Sequence, residues 1–176
     1  MMGPLITREH RDRVLSYVQG AEGEGARVVV DGSRTEDREG FFMGCTLLDD
    51  VKPGMRVYDD EIFGPVLSVV RVASFEEAVS LVDANPYGNG VALFTADGGS
   101  ARRFEREVTV GMVGINVPIP VPVGFYSFGG WKASLFGDSA IYGPEGVRFY
   151  TRPKVVTSRW PEAAGSAVDL GFPTSG

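Results

Sequence analysis

Residues 61–65, which read Glu-Ile-Phe-Gly-Pro, combine side chains suited to holding a flat, sugar-linked ligand. The carboxylate of Glu61 can accept hydrogen bonds from sugar hydroxyls, and the ring of Phe63 can cover a planar group. The Gly-Pro pair that follows favours a turn, because proline restricts its own backbone. Residues 66–70 are an apolar run typical of a buried strand, so the motif is predicted to lie at the entrance of a strand.

Covalent catalysis on a carbonyl group needs a nucleophile, and Cys45 is the only thiol in the chain. Its apolar neighbours and the nearest charged residues, Asp49 and Asp50, do not favour a thiolate. We therefore expect Cys45 to be a small buried hydrophobic residue and not a nucleophile. His10 is the only histidine, and we expect it to be exposed and without a partner.

Other kinds of site are disfavoured by the sequence. No cluster of His, Cys and carboxylates has the spacing of a metal site, and no Gly-x-Gly-x-x-Gly follows a strand to cradle a dinucleotide. The chain has 17 basic and 23 acidic residues, and its net charge of −6 disfavours binding to nucleic acid. No apolar run is long enough to span a membrane, and the first residues do not resemble a signal peptide. Together with the single cysteine, these features favour the cytoplasm.

Apolar periodicity and turn residues indicate alternating strands and helices. Thr7 can cap a helix that runs to about Gln19 and is ended by the glycine-rich residues 20–25. Ser74 and Glu77 form a capping box for a second helix, and Ser100 can cap a third. The alternation predicts an α/β fold with a largely parallel sheet and flanking helices. Strands are predicted at residues 27–30, 46–48, 66–72, 91–95 and 111–117.

The texture of the sequence changes in the last third of the chain. Prolines alternate with apolar residues over 118–123, which favours an extended loop, and an aromatic, glycine-rich segment follows over 124–137. Pro144 can begin a short helix, and residues 154–158 are typical of a late strand. Residues 161–176 are small and polar, and we expect them to form a disordered tail.

Several motifs together resemble the CoA-acylating methylmalonate or malonate semialdehyde dehydrogenases of the aldehyde dehydrogenase superfamily. Residues 61–66 (Glu-Ile-Phe-Gly-Pro-Val) and 85–90 (Asn-Pro-Tyr-Gly-Asn-Gly) are similar to motifs of aldehyde dehydrogenases generally. Residues 114–122 (Gly-Ile-Asn-Val-Pro-Ile-Pro-Val-Pro) and 149–151 (Phe-Tyr-Thr) point to the semialdehyde branch. Residues 3–7 (Gly-Pro-Leu-Ile-Thr) extend the resemblance to the start of the chain.

This resemblance implies a partial aldehyde dehydrogenase catalytic domain over 1–146 and an oligomerisation arm over 147–160. In the family the full chain is much longer, and the dinucleotide-binding domain and nucleophilic cysteine lie upstream of the matching residues. The resemblance therefore implies that the complete enzyme uses NAD as cofactor and CoA as co-substrate, and that this chain alone is inactive. It also implies a homo-oligomer, because in the family the last strand pairs with the sheet of a neighbouring subunit.

The same resemblance assigns roles to five residues. Glu61 would accept hydrogen bonds from the nicotinamide ribose, and Phe63 would pack against the nicotinamide; the alternatives are a solvated carboxylate and core packing. Asn116, Phe125 and Phe128 would belong to the aldehyde pocket. Asn116 can instead hold the local backbone, and both aromatic residues can instead serve packing.

Two other interpretations stay open. One is a non-catalytic assembly module that keeps only the oligomerising surface, and the other is a part of a different aldehyde dehydrogenase branch. Residues 129–132 (Gly-Gly-Trp-Lys) are closer to the general aldehyde dehydrogenase pattern than to that of the semialdehyde branch. Any interpretation as part of a longer chain predicts an exposed apolar face where the remainder would dock.

Overall fold

The chain divides between Ser80 and Leu81 into two units. The structure, a computed structural model, describes residues 3–33 and 39–160. Short strands and helices follow one another in both units, in agreement with the predicted α/β class. The predicted disordered tail over 161–176 lies outside the described residues.

The first helix, α1, spans Arg8–Glu24 and is longer than predicted. Thr7 caps it as expected, since its hydroxyl accepts a hydrogen bond from the backbone N–H of His10 at 3.1 Å. The glycines within its last turns do not end the helix, because Ala21 is fully buried and its packing outweighs their low helix propensity. The helix ends at Gly25, whose φ of 101° lets its N–H bond back into the last turn.

A three-stranded sheet follows in the first unit, with strand order β1-β2-β3. Strand β1 (Arg27–Val30) is antiparallel to β2 (Thr46–Asp49). Strand β2 is parallel to β3 (Val66–Ser68), and a one-turn helix, α2 (Arg56–Asp59), lies between them in the chain. All three strands begin where the sequence predicts them, although β3 is shorter than predicted.

The core of the first unit is a single cluster contributed by α1, the sheet and the residues around α2. Val14 and Leu48 are fully buried in it. Burial of a side chain of this size contributes roughly 1.5–3 kcal/mol, so the cluster is the main source of stability in this unit. Its buried members are Val14, Tyr17, Val18, Ala21, Ala26, Met43, Leu48, Val51, Met55, Val57 and Ile62.

Helix α3 (Phe75–Ala84) begins at the predicted capping residues. The hydroxyl of Ser74 accepts from the N–H of Glu77 at 3.1 Å, and the Glu77 carboxylate accepts from the N–H of Ala73 at 2.7 Å. Val79, on the predicted apolar face, is buried.

The strands of the second unit form two small sheets. Strand β4 (Tyr87–Gly88) is antiparallel to a late strand at Trp131–Lys132. Strand β5 (Gly90–Leu93) leads into α4 (Gly98–Glu107) and is parallel to β6 (Met112–Ile115), which makes a β-α-β unit. The late strand is β7.

Helix α4 starts at a different cap from the one predicted. Asp97, not Ser100, is the cap, and its carboxylate accepts from the N–H groups of Gly99 and Ser100 at 3.2 and 2.6 Å. Gly98 and Gly99 therefore lie inside the helix, because an ionised carboxylate is a strong acceptor for the free N–H groups of a first turn. Over the described residues, no helix combines the length and apolar character needed to cross a membrane.

The prediction of a largely parallel sheet is wrong. In the described part of the chain the strands form three small sheets, in which β2–β3 and β5–β6 are parallel while β1–β2 and β4–β7 are antiparallel. Parallel strands that follow one another in the chain need a long crossover connection, usually a helix. The described residues between β1 and β2, 31–33 and 39–45, contain no helix, and these two strands are antiparallel. The two-residue strands β4 and β7 lie in segments that carry no periodic signal.

The last described element is helix α5 (Gly143–Tyr150), with Pro144 in its first turn as predicted. Residues 151–160 are exposed throughout and form no strand in the single chain. A strand is stabilised by hydrogen bonds to a neighbouring strand, and this segment has no such neighbour among the described residues. Its pairing with a second copy stays a prediction.

Candidate functional site

Residues 61–65 connect α2 to β3 in the first unit, and their side chains divide between core and solvent. Ile62 is 8% exposed and belongs to the core cluster. Both of its neighbours in the chain lie on the surface: Glu61 is exposed, and Phe63 is 80% exposed. The buried isoleucine thus anchors a segment that presents both predicted cofactor residues on the surface of this unit.

Helix α1 bonds to the backbone of this motif at two points. Nε2 of His10 lies 2.8 Å from the carbonyl oxygen of Phe63, and the guanidinium of Arg13 donates to the carbonyl of Glu61 at 3.3 Å. The expectation that His10 is exposed and without a partner is therefore wrong. The fold brings the first helix onto residues about fifty positions later, a pairing that no local sequence pattern encodes.

The backbone of the motif has two unusual features. Phe63 has a φ of 54°, in the left-handed region that residues with a side chain seldom adopt. Gly64 packs on α1 so closely that a Cβ in its place would lie 2.7 Å from both γ carbons of Val14. Glycine at this position is thus required by a close approach, and the motif is seated directly on the core.

A buried carboxylate lies on the same sheet, at the end of β2. Asp49 accepts from Arg27 at 2.6 Å and from two nitrogens of Arg71 at 2.6 and 2.9 Å. The guanidinium of Arg71 and the backbone N–H of Asp50 hold the pKa of the Asp49 carboxyl below its ordinary value. These bonds connect β1, β2 and the segment after β3, so we assign Asp49 to the stability of the sheet.

Cys45 is exposed, and the expectation that it is buried is wrong. It directly precedes Thr46, which is 2% exposed and whose hydroxyl accepts from the N–H of Gly32 at 3.1 Å. Since neighbouring side chains of a strand point to opposite faces, burial of Thr46 directs Cys45 outward. The described surroundings of Cys45 include no group that acts as its general base.

Asn116 lies at the end of β6 in the second unit, with a φ of 56°. Its side-chain NH₂ donates to the carbonyl of Thr95 at 3.0 Å, and its side-chain oxygen accepts from the N–H of Thr95 at 2.9 Å. The side-chain amide thus bonds to both the N–H and the carbonyl of Thr95, as the backbone of a neighbouring strand would. This contact holds the start of the proline loop next to the end of β5.

Phe125 and Phe128 lie in the second unit, in the irregular segment that follows the proline loop. Phe125 is 66% exposed, and its ring centroid is 4.7 Å from that of Tyr126. Phe128 is 43% exposed and makes an edge-to-face contact with Tyr142 at 5.6 Å. The two predicted pocket aromatics therefore belong to different ring pairs, and each keeps a large exposed surface.

A cavity of about 550 Å³ lies in the second unit, and the sequence did not indicate it. Backbone of the Gly129–Gly130 pair and the side chains of Asp138 and Glu145 contribute to its lining, which includes none of Asn116, Phe125 and Phe128. One Glu145 oxygen already accepts from the N–H of Ala140 at 2.8 Å. All lining residues except Gly111 lie within residues 127–145, a largely irregular segment that carries no periodic signal by which a cavity could be predicted.

Lys132, at the edge of this cavity, is held by backbone. Its ammonium group donates to the carbonyls of Val82, Asp83 and Asn85 at 3.2, 3.0 and 3.1 Å. The ammonium group has three N–H donors for the three carbonyls at the end of α3, and its positive charge interacts favourably with the negative end of the helix dipole. Lys132 therefore caps the end of α3, a role that no local pattern of the sequence indicated.

The predicted site residues lie in both units. Glu61 and Phe63 belong to the first, while Asn116, Phe125 and Phe128 belong to the second. Within the described residues, no three His, Cys, Asp or Glu side chains are grouped as a metal ion would require.

Residues 1–156 match the aldehyde dehydrogenase family. Over 98% of its length the chain is 52% identical to malonate-semialdehyde dehydrogenase from Pseudomonas aeruginosa, and it covers 36% of that protein. Malonate-semialdehyde dehydrogenase 1 from Bacillus licheniformis is 47% identical over 90% of the chain, which covers 33% of that protein. The chain thus spans about a third of the length of these relatives.

Solved structures give the same picture. Methylmalonate-semialdehyde dehydrogenase from Oceanimonas doudoroffii matches 92% of this chain with a TM-score of 0.84 and 56% identity, over 34% of its own length. An aldehyde dehydrogenase from Mycobacterium tuberculosis, complexed with NAD⁺, matches 86% of this chain with a TM-score of 0.76 and 34% identity, over 31% of its own length.

Proposed function

Because this chain belongs to the aldehyde dehydrogenase family, we propose that it forms the C-terminal part of an NAD-dependent, CoA-acylating semialdehyde dehydrogenase. The complete enzyme converts methylmalonate or malonate semialdehyde to an acyl-CoA through an enzyme thioester. The observation that carries the proposal is the 56% identity, with matching fold, to methylmalonate-semialdehyde dehydrogenase. Similarity to malonate-semialdehyde dehydrogenase at 52% identity supports the same substrate class.

Glu61 and Phe63 supply part of the cofactor site in this proposal. The exposed carboxylate suits ribose hydroxyls, which donate hydrogen bonds, and the exposed ring suits the flat nicotinamide. Their anchor, Ile62, is buried, so the two side chains rest on a packed base. NAD accepts the hydride when it is bound, and the residues of this chain hold and orient it.

Asn116, Phe125 and Phe128 contribute to the aldehyde pocket. The amide of Asn116 is bonded at both ends to Thr95, so it acts by shaping the loop that follows. The exposed faces of the two phenylalanines provide apolar walls that would exclude water from the thioester.

The nucleophile lies outside these 176 residues. Cys45 is exposed, and its nearest charged residues in the sequence, Asp49 and Asp50, do not favour a thiolate. The chain alone is therefore inactive, and it requires the remainder of the enzyme to supply the thiolate and the site for the pyrophosphate of NAD. The single cysteine remains compatible with a cytoplasmic enzyme.

Residues 147–160 form the oligomerisation arm. Val155 and Val156 are 92% and 75% exposed, and unpaired backbone in such a segment can add to the sheet edge of a second copy. The same exposure favours the alternative of a non-catalytic assembly module. Sedimentation velocity tests the oligomerising surface, and the activity of the chimera described below separates the two: a defined oligomer whose chimera folds but forms no NADH supports the module.

The decisive experiment is a chimera in which this chain replaces the matching 36% of the Pseudomonas aeruginosa relative. We expect the chimera to form NADH from malonate semialdehyde only when CoA is present. Glu61→Gln should raise the KM for NAD by roughly tenfold, since it weakens a charge-assisted hydrogen bond. The matched control, Glu22→Gln, changes another exposed carboxylate of the same unit and should leave the KM unchanged.

Three results would contradict the proposal. The first is a folded chimera without NADH formation, and the second is a chimera in which Glu61→Gln and Glu22→Gln have the same KM for NAD. The third is NADH formation by the purified 176-residue chain that is lost in Cys45→Ala, which would make Cys45 the nucleophile.

A further inference from the structure

The left-handed backbone of Phe63 is the least expected feature of the motif. A φ of 54° brings Cβ close to the following carbonyl and is uncommon for any aromatic residue. The ring does not compensate by packing, since Phe63 is 80% exposed. A strained residue of this kind persists only where surrounding groups determine its conformation.

The surrounding contacts act on the backbone of Phe63 and its neighbours. Ile62 before it is buried in the core, and Gly64 after it is pressed against Val14. These two contacts fix the ends of the segment. The carbonyl of Phe63 lies between them, and Nε2 of His10 bonds to it at 2.8 Å.

His10 is itself held in a defined place. It lies in the first turn of α1, where its backbone N–H donates to the hydroxyl of Thr7 at 3.1 Å. A carbonyl oxygen only accepts hydrogen bonds, so the contact with Phe63 requires a proton on Nε2 of the imidazole. The capped helix thus presents a donor to the carbonyl that closes the left-handed turn.

We propose that His10 is a positioning residue that holds Phe63 in its left-handed conformation and so keeps the Phe63 ring directed outward to meet the cofactor. The first part rests on the geometry of this chain alone. The second part, contact with nicotinamide, rests on the proposed function. His10 does not touch the reacting groups in this assignment and acts only through Phe63.

The test uses the 176-residue chain labelled for NMR. A residue with positive φ gives a strong NOE between its own amide proton and Hα, because these protons are closer than in any other common conformation. The expected result is a strong NOE at Phe63 that is lost in His10→Leu and retained in His10→Gln, since the glutamine Nε2 can replace the imidazole donor. Arg13→Leu removes the longer bond to the Glu61 carbonyl and should leave the Phe63 signal unchanged.

The link to the cofactor is measured in the chimera with the Pseudomonas aeruginosa relative, in which the rest of the NAD site is present. We expect the KM for NAD to rise roughly threefold to tenfold in His10→Leu and to recover in His10→Gln, as for loss of one hydrogen bond. Recovery in both readouts distinguishes the donated hydrogen bond from a purely structural role of His10. If the KM for NAD is unchanged in His10→Leu while the NOE depends on His10, the positioning role stands and the cofactor assignment of the proposed function fails.

Two outcomes overturn the inference. One is an unchanged Phe63 NOE in folded His10→Leu. The other is measured on the unsubstituted chain, and it applies even if His10→Leu does not fold: long-range ¹H–¹⁵N correlations that assign the His10 proton to Nδ1 would exclude the bond to the Phe63 carbonyl.

Discussion

Residues 61–65 and residues 117–128 carry the two predicted halves of the site, and the chain supports them in opposite ways. The first segment is seated on a closed core through Ile62, Gly64 and a bond from His10. The second leaves its aliphatic side chains uncovered: Val117, Ile119, Val121 and Val123 are each about half exposed or more.

The two segments therefore differ in how far contacts within the described chain hold their side chains. In the first unit the buried core anchors Ile62, which lies between the exposed Glu61 and Phe63. The proline loop is held at its start by the amide pair of Asn116 with Thr95 and by the close approach of Pro120 to Gly90 and Gly114, while its other aliphatic side chains present an apolar surface to water. An exposed apolar face was predicted for any chain that is part of a longer protein, and the loop has that character.

The largest effect is expected from Leu48→Ala in the core of the first unit. Leu48 is fully buried, so the truncation leaves a cavity and should lower the free energy of unfolding by about 2–5 kcal/mol. Phe136→Ala in the second unit is the control, because Phe136 is fully exposed, and it should change stability by less than about 0.5 kcal/mol. Urea unfolding followed by circular dichroism measures both; equal losses would remove the contrast between the regions.

A second test is Gly64→Ala. The new Cβ would lie 2.7 Å from both γ carbons of Val14, and overpacking of this kind costs about 1–3 kcal/mol. Gly124→Ala in the second segment is the matched control, since no atom lies within 4 Å of a Cβ placed there. A control that loses as much stability as Gly64→Ala would mean that the loop is packed as tightly as the motif.

Lys132→Met tests the hydrogen bonds that the Lys132 ammonium group makes in the second unit. It removes a charge from the end of α3 and leaves the carbonyls of Val82, Asp83 and Asn85 without their donor. We expect a loss of roughly 1–2 kcal/mol, and faster amide exchange at the end of that helix. Lys52→Met, an exposed lysine of the first unit, serves as the control. Unchanged exchange in Lys132→Met would show that the three bonds do not stabilise the helix end.

The smallest effect concerns two carboxylates, one in each unit. Arg71 lowers the pKa of Asp49, and the N–H and hydroxyl of Thr109 lower the pKa of Asp83. A depressed carboxyl pKa adds stability above the ordinary value of 3.8, and this stability is lost as pH falls through the lower folded value. The effect is small because the arginines around Asp49 are themselves more than half exposed.

Unfolding midpoints measured between neutral and strongly acidic pH test this expectation. Asp49→Asn and Asp83→Asn should each flatten the acid limb. Added salt should reduce the contribution of Asp49, whose main partner is the charged Arg71, more than that of Asp83, whose main partner is the neutral Thr109 and for which the charge of Lys132 is a smaller cause. An equal response to salt would argue against the guanidinium as the main cause at Asp49.

Local signals in the sequence were enough for two of the three predicted caps and for most strands. Thr7 and Ser74 cap helices as predicted, whereas Asp97 replaces Ser100 at α4, and β1, β2, β5 and β6 lie within or close to the predicted ranges. The other errors concern long-range contacts. The end of α1 depended on burial of Ala21, and the mixed direction of the strands depended on pairings between distant segments.

The candidate site divides in the same way. The types and order of residues 61–65 are sufficient to single out Glu61 and Phe63, and the exposure of both side chains is compatible with the predicted roles. The capping role of Lys132 was not predicted, because it depends on carbonyls about fifty positions earlier in the chain. The exposure of Cys45 depends on which face of the strand the fold buries, and the cavity near Gly129 and Gly130 lies in a segment without a periodic signal.

The amino-acid sequence by itself indicated the family of this chain, through motifs that resemble it, and most elements of its α/β fold, through periodicity and turn residues, which are local properties. It also singled out Glu61 and Phe63, by residue type, as candidate cofactor contacts. Only the tertiary structure decided that His10 bonds to the Phe63 carbonyl and that Phe63 takes a left-handed backbone. Those features arise when α1 packs on the motif, and no residue pattern within either segment encodes that contact.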